Sequence, residues 1–106
     1  MKRVETIKDK KEFSSIINNG RFKKNKYYCL YIMKNNQENS KYGIAISNKV
    51  GKAHIRNKLK RQTRTLIDKY RNLFQKGNNY IIMIRKATLG TKFELLDNSF
   101  NELLKD

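Results

Sequence analysis

"AHIRNKLKRQTRTLIDKYRNLF", residues 53–74, carries two patterns at once. Stepping roughly 100° per residue, Ile55, Leu59, Leu66, Tyr70 and Leu73 fall within one narrow arc, while Arg56, Lys60, Arg61, Arg64 and Arg71 spread across the opposite side. The spacing predicts a long amphipathic helix. Its apolar arc needs a surface, and the flanking sequence offers one. "YGIAIS", residues 42–47, and "YIIMIR", residues 80–85, are β-branched and aromatic enough for strands. The second is continuously apolar, as a strand covered on both faces is, and "GNN" ahead of it signals a turn. It is the expected central strand. Strand, helix and strand then make a βαβ unit with the helix docked on the sheet.

Working outward, "YYCLYIM", residues 27–33, reads as another strand, expected to form a hairpin with 42–47 across the polar "NNQENSK". "DKKEFSSIINNG", residues 9–20, has Asp9 three residues before Glu12, a helix-start pattern, and ends on Gly20. Phe13, Ile16 and Ile17 fall at i, i+3 and i+4, one stripe of a short first helix. "TKFELLDNSFNELLKD" repeats the start signal at Thr91 and Glu94, and Phe93, Leu96, Phe100, Leu103 and Leu104 keep a helical period. A helix closes the chain. With 106 residues and no proline-rich or glycine-rich linker, residues 1–106 are expected to be one domain.

Charge narrows the function. Lys plus Arg number 25 against 9 Asp plus Glu, a formal net charge of +16. A compact domain so charged repels itself unless a polyanion is near. No Asp or Glu occurs from Lys41 to Ile67, so the i,i+4 ion pairs that would neutralise the helix face are absent. Cationic runs on helices are often just solvated faces; the missing acids favour a phosphate-contacting surface instead. A membrane is the rival polyanion. No apolar run approaches the roughly 20 residues of a spanning helix, and no stretch resembles a signal peptide, so a cytoplasmic protein with no membrane partner is expected. A basic helix aimed at a membrane surface or at calmodulin would also not need flanking strands. Cys29 and His54 are single, leaving no disulfide and no zinc constellation.

Catalytic constellations are also missing. Metal-dependent nucleases gather carboxylates around two ions, whereas Asp9, Glu12, Asp68, Glu94 and Asp97 are scattered, as caps and solvated faces are. His54 has no identifiable partner. Gly51-Lys52 resembles the end of a P-loop, but Ile46 occupies the place of its first glycine. On pattern alone Phe13 and Tyr31 are core residues, and "RFKKNK", residues 21–26, is either cationic guidance for a ligand or a solvated loop.

"SNKVGKAHIRNKLKRQTR", residues 47–64, resembles the signature of the bacterial ribonuclease P protein subunit: a Ser-x-Lys-x-Gly-x-Ala lead-in and then an Arg-Asn-basic-x-x-Lys-Arg-type helix ending in a further Arg. Ser47, Lys49, Gly51, Ala53, Arg56, Asn57, Lys58, Lys60, Arg61 and Arg64 fit in order. "KKEFSSIINNGR", "YYCLYIM", "YIIMIRK" and the C-terminal helix have counterparts too, so nearly the whole chain is covered. The resemblance implies an α+β, single-domain α/β sandwich of order α-β-β-(β)-α-β-α around a mixed sheet. It also implies a left-handed βαβ crossover, against the general right-handed default.

Functionally, the resemblance implies the small partner of a catalytic RNA that removes the 5′ leader from precursor tRNA. The chemistry, and the Mg2+ ions it needs, belong mainly to the RNA; the protein binds and positions, with no DNA and no obligate protein partner. Lys49, Lys52, Arg56, Asn57, Lys58, Lys60, Arg61 and Arg64 are the implied contacts to the catalytic RNA. Phe13, Ile17, Lys26, Tyr28 and Tyr31 are the implied leader cleft. Departures are Asn48 and Lys58, where a basic residue and Arg are common, Ile17 for an aromatic, and Asn79 for an acid. Ile17 leaves only apolar contact where a base could stack, and Lys58 loses the bidentate fork. A ribosomal or other structural RNA-binding protein would share the charge and size; the ordered 47–64 motif separates the two.

Overall fold

Strand β4 (Asn78–Ile84) is the one the sheet is built around. In the computed structural model, which describes residues 5–105, it lies between β2 (Tyr28–Lys34) and β3 (Lys41–Ile46), antiparallel to the first and parallel to the second. The order is β1-β2-β4-β3, with β1 (Arg21–Lys24) at one edge. As its unbroken apolar run predicts, β4 is covered on both faces: Tyr80, Ile82 and Ile84 point to one side and Ile81 to the other, all buried.

Alternation of side chains along the strands gives the sheet two different faces. Helices α2 (Ala53–Lys69) and α3 (Phe93–Lys105) cover one. There Leu59, Leu66 and Ile67 of α2 and Leu96, Phe100 and Leu103 of α3 pack with Tyr28, Leu30, Tyr80 and Ile82. Helix α1 (Lys10–Asn19) crosses the other, where Ile16 packs with Ile7 and Ile81. Each fully buried Leu or Ile contributes about 1.5–3 kcal/mol. Three such side chains hold α2 to the sheet, and the helix carries no acid before Asp68.

The expected hairpin between strands 27–33 and 42–47 does not form. Both strands pair with β4 instead, and the hairpin partner of β2 is β1, in the segment that sequence left open as a loop. The polar stretch at 35–40 signals a turn, but a turn signal does not say which strands pair. Asn25 makes the real hairpin: its Oδ1 accepts the N–H groups of Tyr27 and Tyr28, each at 2.9 Å, and its Nδ2 donates to the Ser99 carbonyl of α3 at 2.9 Å.

Helix starts follow their signals only in part. The Asp9 carboxylate accepts the Lys11 N–H at 2.9 Å, but Glu12 reaches out to Asn79 rather than back to the helix start. Thr91 does not cap α3: its hydroxyl donates to the Ala87 carbonyl, and the first helical bond runs from the Leu96 N–H to the Lys92 carbonyl. Asp106, the end of the expected last helix, lies outside the described residues. Gly20 ends α1 by necessity of space. A Cβ there would lie 2.5 Å from the Ile16 carbonyl oxygen and 2.7 Å from that of Ile32.

Candidate nucleic-acid interface

A single 3-10 turn, Asn48–Val50, leads from β3 into α2. The Ser47 hydroxyl accepts the Lys49 N–H, and Val50 is buried, so the loop carrying Lys49 and Lys52 is fixed at both its cap and its core contact. Along α2 the buried positions are Leu59, Thr63, Leu66 and Ile67. This arc is centred further round the helix than the one read from Ile55 to Leu73, because Thr63 fills a core position and the helix ends at Lys69, before the exposed Leu73. Thr63 is tolerated there because its hydroxyl donates to the Leu59 carbonyl at 2.8 Å.

The shift sorts the candidate contacts. Asn57, Lys58, Arg61 and Arg64 are exposed, as are Lys49 and Lys52 on the loop, whereas Lys60 and Arg56 are half-buried at the margin of the packed arc. Arg56 turns back on the loop, its Nη1 donating to the Gly51 carbonyl at 2.8 Å. It ties lead-in and helix into one rigid piece. Among the described residues, none of these cations has a carboxylate within ion-pair distance. Arg71 is different. It has left the helix, pairs with Asp68 at 2.7 Å and with Glu5, and lies over the Tyr42 ring, so it is spent on structure. Lys69 is likewise paired, at 2.5 Å, with Asp97. Burial pushes the Asp97 carboxyl up, but the Lys69 ammonium and the Tyr70 hydroxyl that donate to it outweigh this and hold it below the usual carboxylate range.

The opposite face of the sheet carries a partly exposed apolar cluster beside α1, where the expected cleft would lie. Phe13, Ile17 and Tyr31 are half-buried there, gathered with Met33 and Ala45 around Ile7, Ile16 and Ile81. Phe13 sits low because Gly43 lies beneath it: a Cβ at 43 would come within 2.8 Å of Phe13 Cε2. Glu12 fixes the other side of the helix, accepting from Asn79 Nδ2 at 2.9 Å while Asn35 Nδ2 donates to Asn79 Oδ1 at 2.8 Å.

Tyr28 is not in this cleft. Strand alternation turns it to the α2 and α3 side, where it is buried edge-on against Phe100. Burial pushes its phenol up to about 12, opposed in part by its hydrogen bond to Thr63. A side chain so enclosed packs the core and cannot touch a ligand. Lys26 lies further along, on a shallow apolar pocket of about 570 Å³ floored by Ala45, Val50 and Met83 and flanked by Lys49, Arg85 and Lys86. Ala45 joins this pocket to the cleft, and Lys49 joins it to the α2 approach.

Sequence reasoning missed Arg85 and Lys86. Their signal was available: they follow the C-terminal end of β4 where it runs parallel to β3, the end of a parallel pair at which α/β folds place ligands. It missed Phe22 as well, whose ring is exposed beside Tyr31.

These two surfaces can be set beside known proteins. The profile of the family described as Ribonuclease P matches residues 1–106. The chain belongs to the ribonuclease P protein family. It is 37% identical over 109 residues to the ribonuclease P protein component of Mycoplasma mycoides, covering 100% of this chain and 98% of that one. The Bacillus cereus protein component is 29% identical over 106 residues, 99% and 92% of the two chains. Among solved structures, the ribonuclease P protein of Thermotoga maritima superposes with a TM-score of 0.85 at 28% identity over 95% of this chain and 96% of that chain. A mutant of the Staphylococcus aureus protein gives 0.89 at 26% identity, over 97% and 87%. The family assignment makes this chain the protein subunit of an endoribonuclease that matures the 5′ end of tRNA, working with an RNA subunit. No described helix is long and apolar enough to cross a membrane.

Proposed function

We propose that residues 1–106 act as one domain with two RNA contacts, one to the ribonuclease P RNA and one to the 5′ leader of precursor tRNA. The outer face of α2, with Lys49 and Lys52 on its approach, docks on the RNA subunit. The observation that carries this is the set of cations on a helix anchored from behind by Leu59, Thr63, Leu66 and Ile67 and lacking carboxylate partners. Lys58, Arg61 and Arg64 face outward to phosphates. Asn57 adds an amide that donates to phosphate or ribose oxygens. Arg56 holds the loop in register through Gly51 and offers its remaining N–H groups.

The leader lies in the cleft as an extended single strand. Tyr31 and Phe13 supply ring surface and Ile17 an apolar contact, with Lys26, Arg85 and Lys86 tracking the backbone. Four of the described acids are already engaged by the fold. Mg2+ takes near-octahedral oxygen ligands, usually including carboxylates, but Asp9 caps α1, Glu12 holds Asn79, Asp68 holds Arg71 and Asp97 holds Lys69. No three potential ligands converge among the described residues. We assign the Mg2+ ions of phosphodiester hydrolysis mainly to the RNA, as the family resemblance implies, and to the protein affinity and alignment.

Reconstitution tests this. Purified protein added to a ribonuclease P RNA at low magnesium should stimulate 5′ cleavage of a precursor tRNA. Absence of stimulation overturns the functional reading. Stimulation that survives loss of Arg56, Lys60 and Arg64 overturns the α2 assignment.

A further inference from the structure

We infer that Phe22 is a nucleobase-stacking residue that carries the single-stranded leader out of the cleft, past Tyr31 and over β1. The inference rests on the leader reading above. Phe22 is the most exposed large apolar side chain in the described structure, at 60%, and it sits on an edge strand, where an uncovered aromatic is a liability unless something uses it. It is the direct cross-strand partner of Tyr31, on the same face of the sheet as the cleft. Their ring centroids are 5.9 Å apart with planes 36° from parallel, so the two rings do not close on each other as a stacked pair.

The course of the chain puts Phe22 in line with the cleft. Helix α1 crosses the sheet from Phe13 above Gly43 of β3 to Gly20 against the Ile32 carbonyl of β2, and the chain then turns directly into β1. Ile17, between these ends, has no ring to offer. Phe22 supplies one on the next strand out. The surroundings suit a polyanion: Lys24 shares the face of Phe22 two residues on and is exposed, and no acid occurs between Glu12 and Glu38. Base-on-ring stacking tolerates any sequence because every base has a flat face.

The test uses holoenzyme reconstituted from the RNA subunit and full-length protein, with precursor tRNAs whose leaders lengthen one nucleotide at a time. Phe22→Ala and Phe22→Leu should each weaken binding of long-leader substrate by at least about fivefold. Phe22→Tyr should restore it. Affinity for tRNA without a leader and for the RNA subunit should not change, and a 2-aminopurine at one leader position should brighten on loss of the ring. Retained affinity in Phe22→Leu would show apolar packing rather than stacking and overturn the inference. So would an equal loss with leaderless tRNA. If Tyr31→Ala loses leader affinity and Phe22→Ala does not, Phe22 is excluded and the cleft survives. If neither loses it, the cleft reading itself fails and takes the inference with it.

Discussion

Replacing Lys58, Arg61 and Arg64 together by alanine removes three exposed cations that have no carboxylate partner among the described residues. Each phosphate neutralised releases counterion, steepening the fall of log K with log salt by about 0.7 to 0.9. If all three contact phosphate in the RNA subunit, the variant's slope should be shallower by about 2.1 to 2.7. Between 50 and 200 mM salt, the unmodified protein should then lose about 18-fold to 42-fold more affinity than the variant. Fluorescence polarisation of labelled RNA subunit across that range reads both quantities. The variant should unfold at the same urea concentration or slightly higher, because exposed charges of one sign repel. Arg71→Ala is the contrasting case: its guanidinium is engaged by Asp68 and Glu5, so it should lower stability and leave the slope nearly unchanged. An unchanged slope in the triple variant, or an equal drop with Arg71→Ala, would refute the assignment of the face.

Three further perturbations probe the parts that hold the surfaces in place. Gly43→Ala drives a methyl into Phe13, at 2.8 Å from Cε2, and should cost about 1–3 kcal/mol in urea unfolding, relieved by Phe13→Leu. No loss would mean that α1 does not rest on Gly43. Thr63→Val removes the buried hydroxyl that donates to the Leu59 carbonyl at 2.8 Å and should cost about 0.5–1.5 kcal/mol in urea unfolding; an unchanged midpoint would count against that bond. Asp97 has a carboxyl held below its unfolded value, so the stability it contributes is present above about pH 3.9 and is lost as pH falls through the lower folded value. Asp97→Asn should therefore differ from the parent most at neutral pH and converge with it in acid. A stability gap independent of pH would refute that role, and exposure of the Lys69 partner keeps the gap small.

The central strand, the basic helix and both short helices were legible because each is written in local periodicity or in an unbroken apolar run. Pairing was less so. Nothing within residues 27–47 says that β4, more than thirty residues later, will separate β2 from β3, since that choice belongs to sheet topology rather than to any turn. The edge strand β1 was hidden by composition: "RFKK" has one apolar residue, and its hairpin depends on a single Asn25 side chain. For the α2 surface, residue types and spacing sufficed to name the cations but not to separate half-buried Arg56 from exposed Arg61. For the cleft, naming Tyr28 beside Tyr31 ignored the period of two that puts neighbours separated by an odd step on opposite faces.

The position of β4 between two earlier strands also sets an order of events in synthesis. β2 and β3 emerge first, but each needs β4 as its inner neighbour, so neither can complete its pairing until residue 84 has left the ribosome. Until then the apolar arc of α2 has no finished floor, and its cations hang on a helix free to wander. Contacts so distant along the chain fold slowly. The rigid α2 face proposed above as the RNA contact is thereby withheld from the nascent chain until β4 has been made.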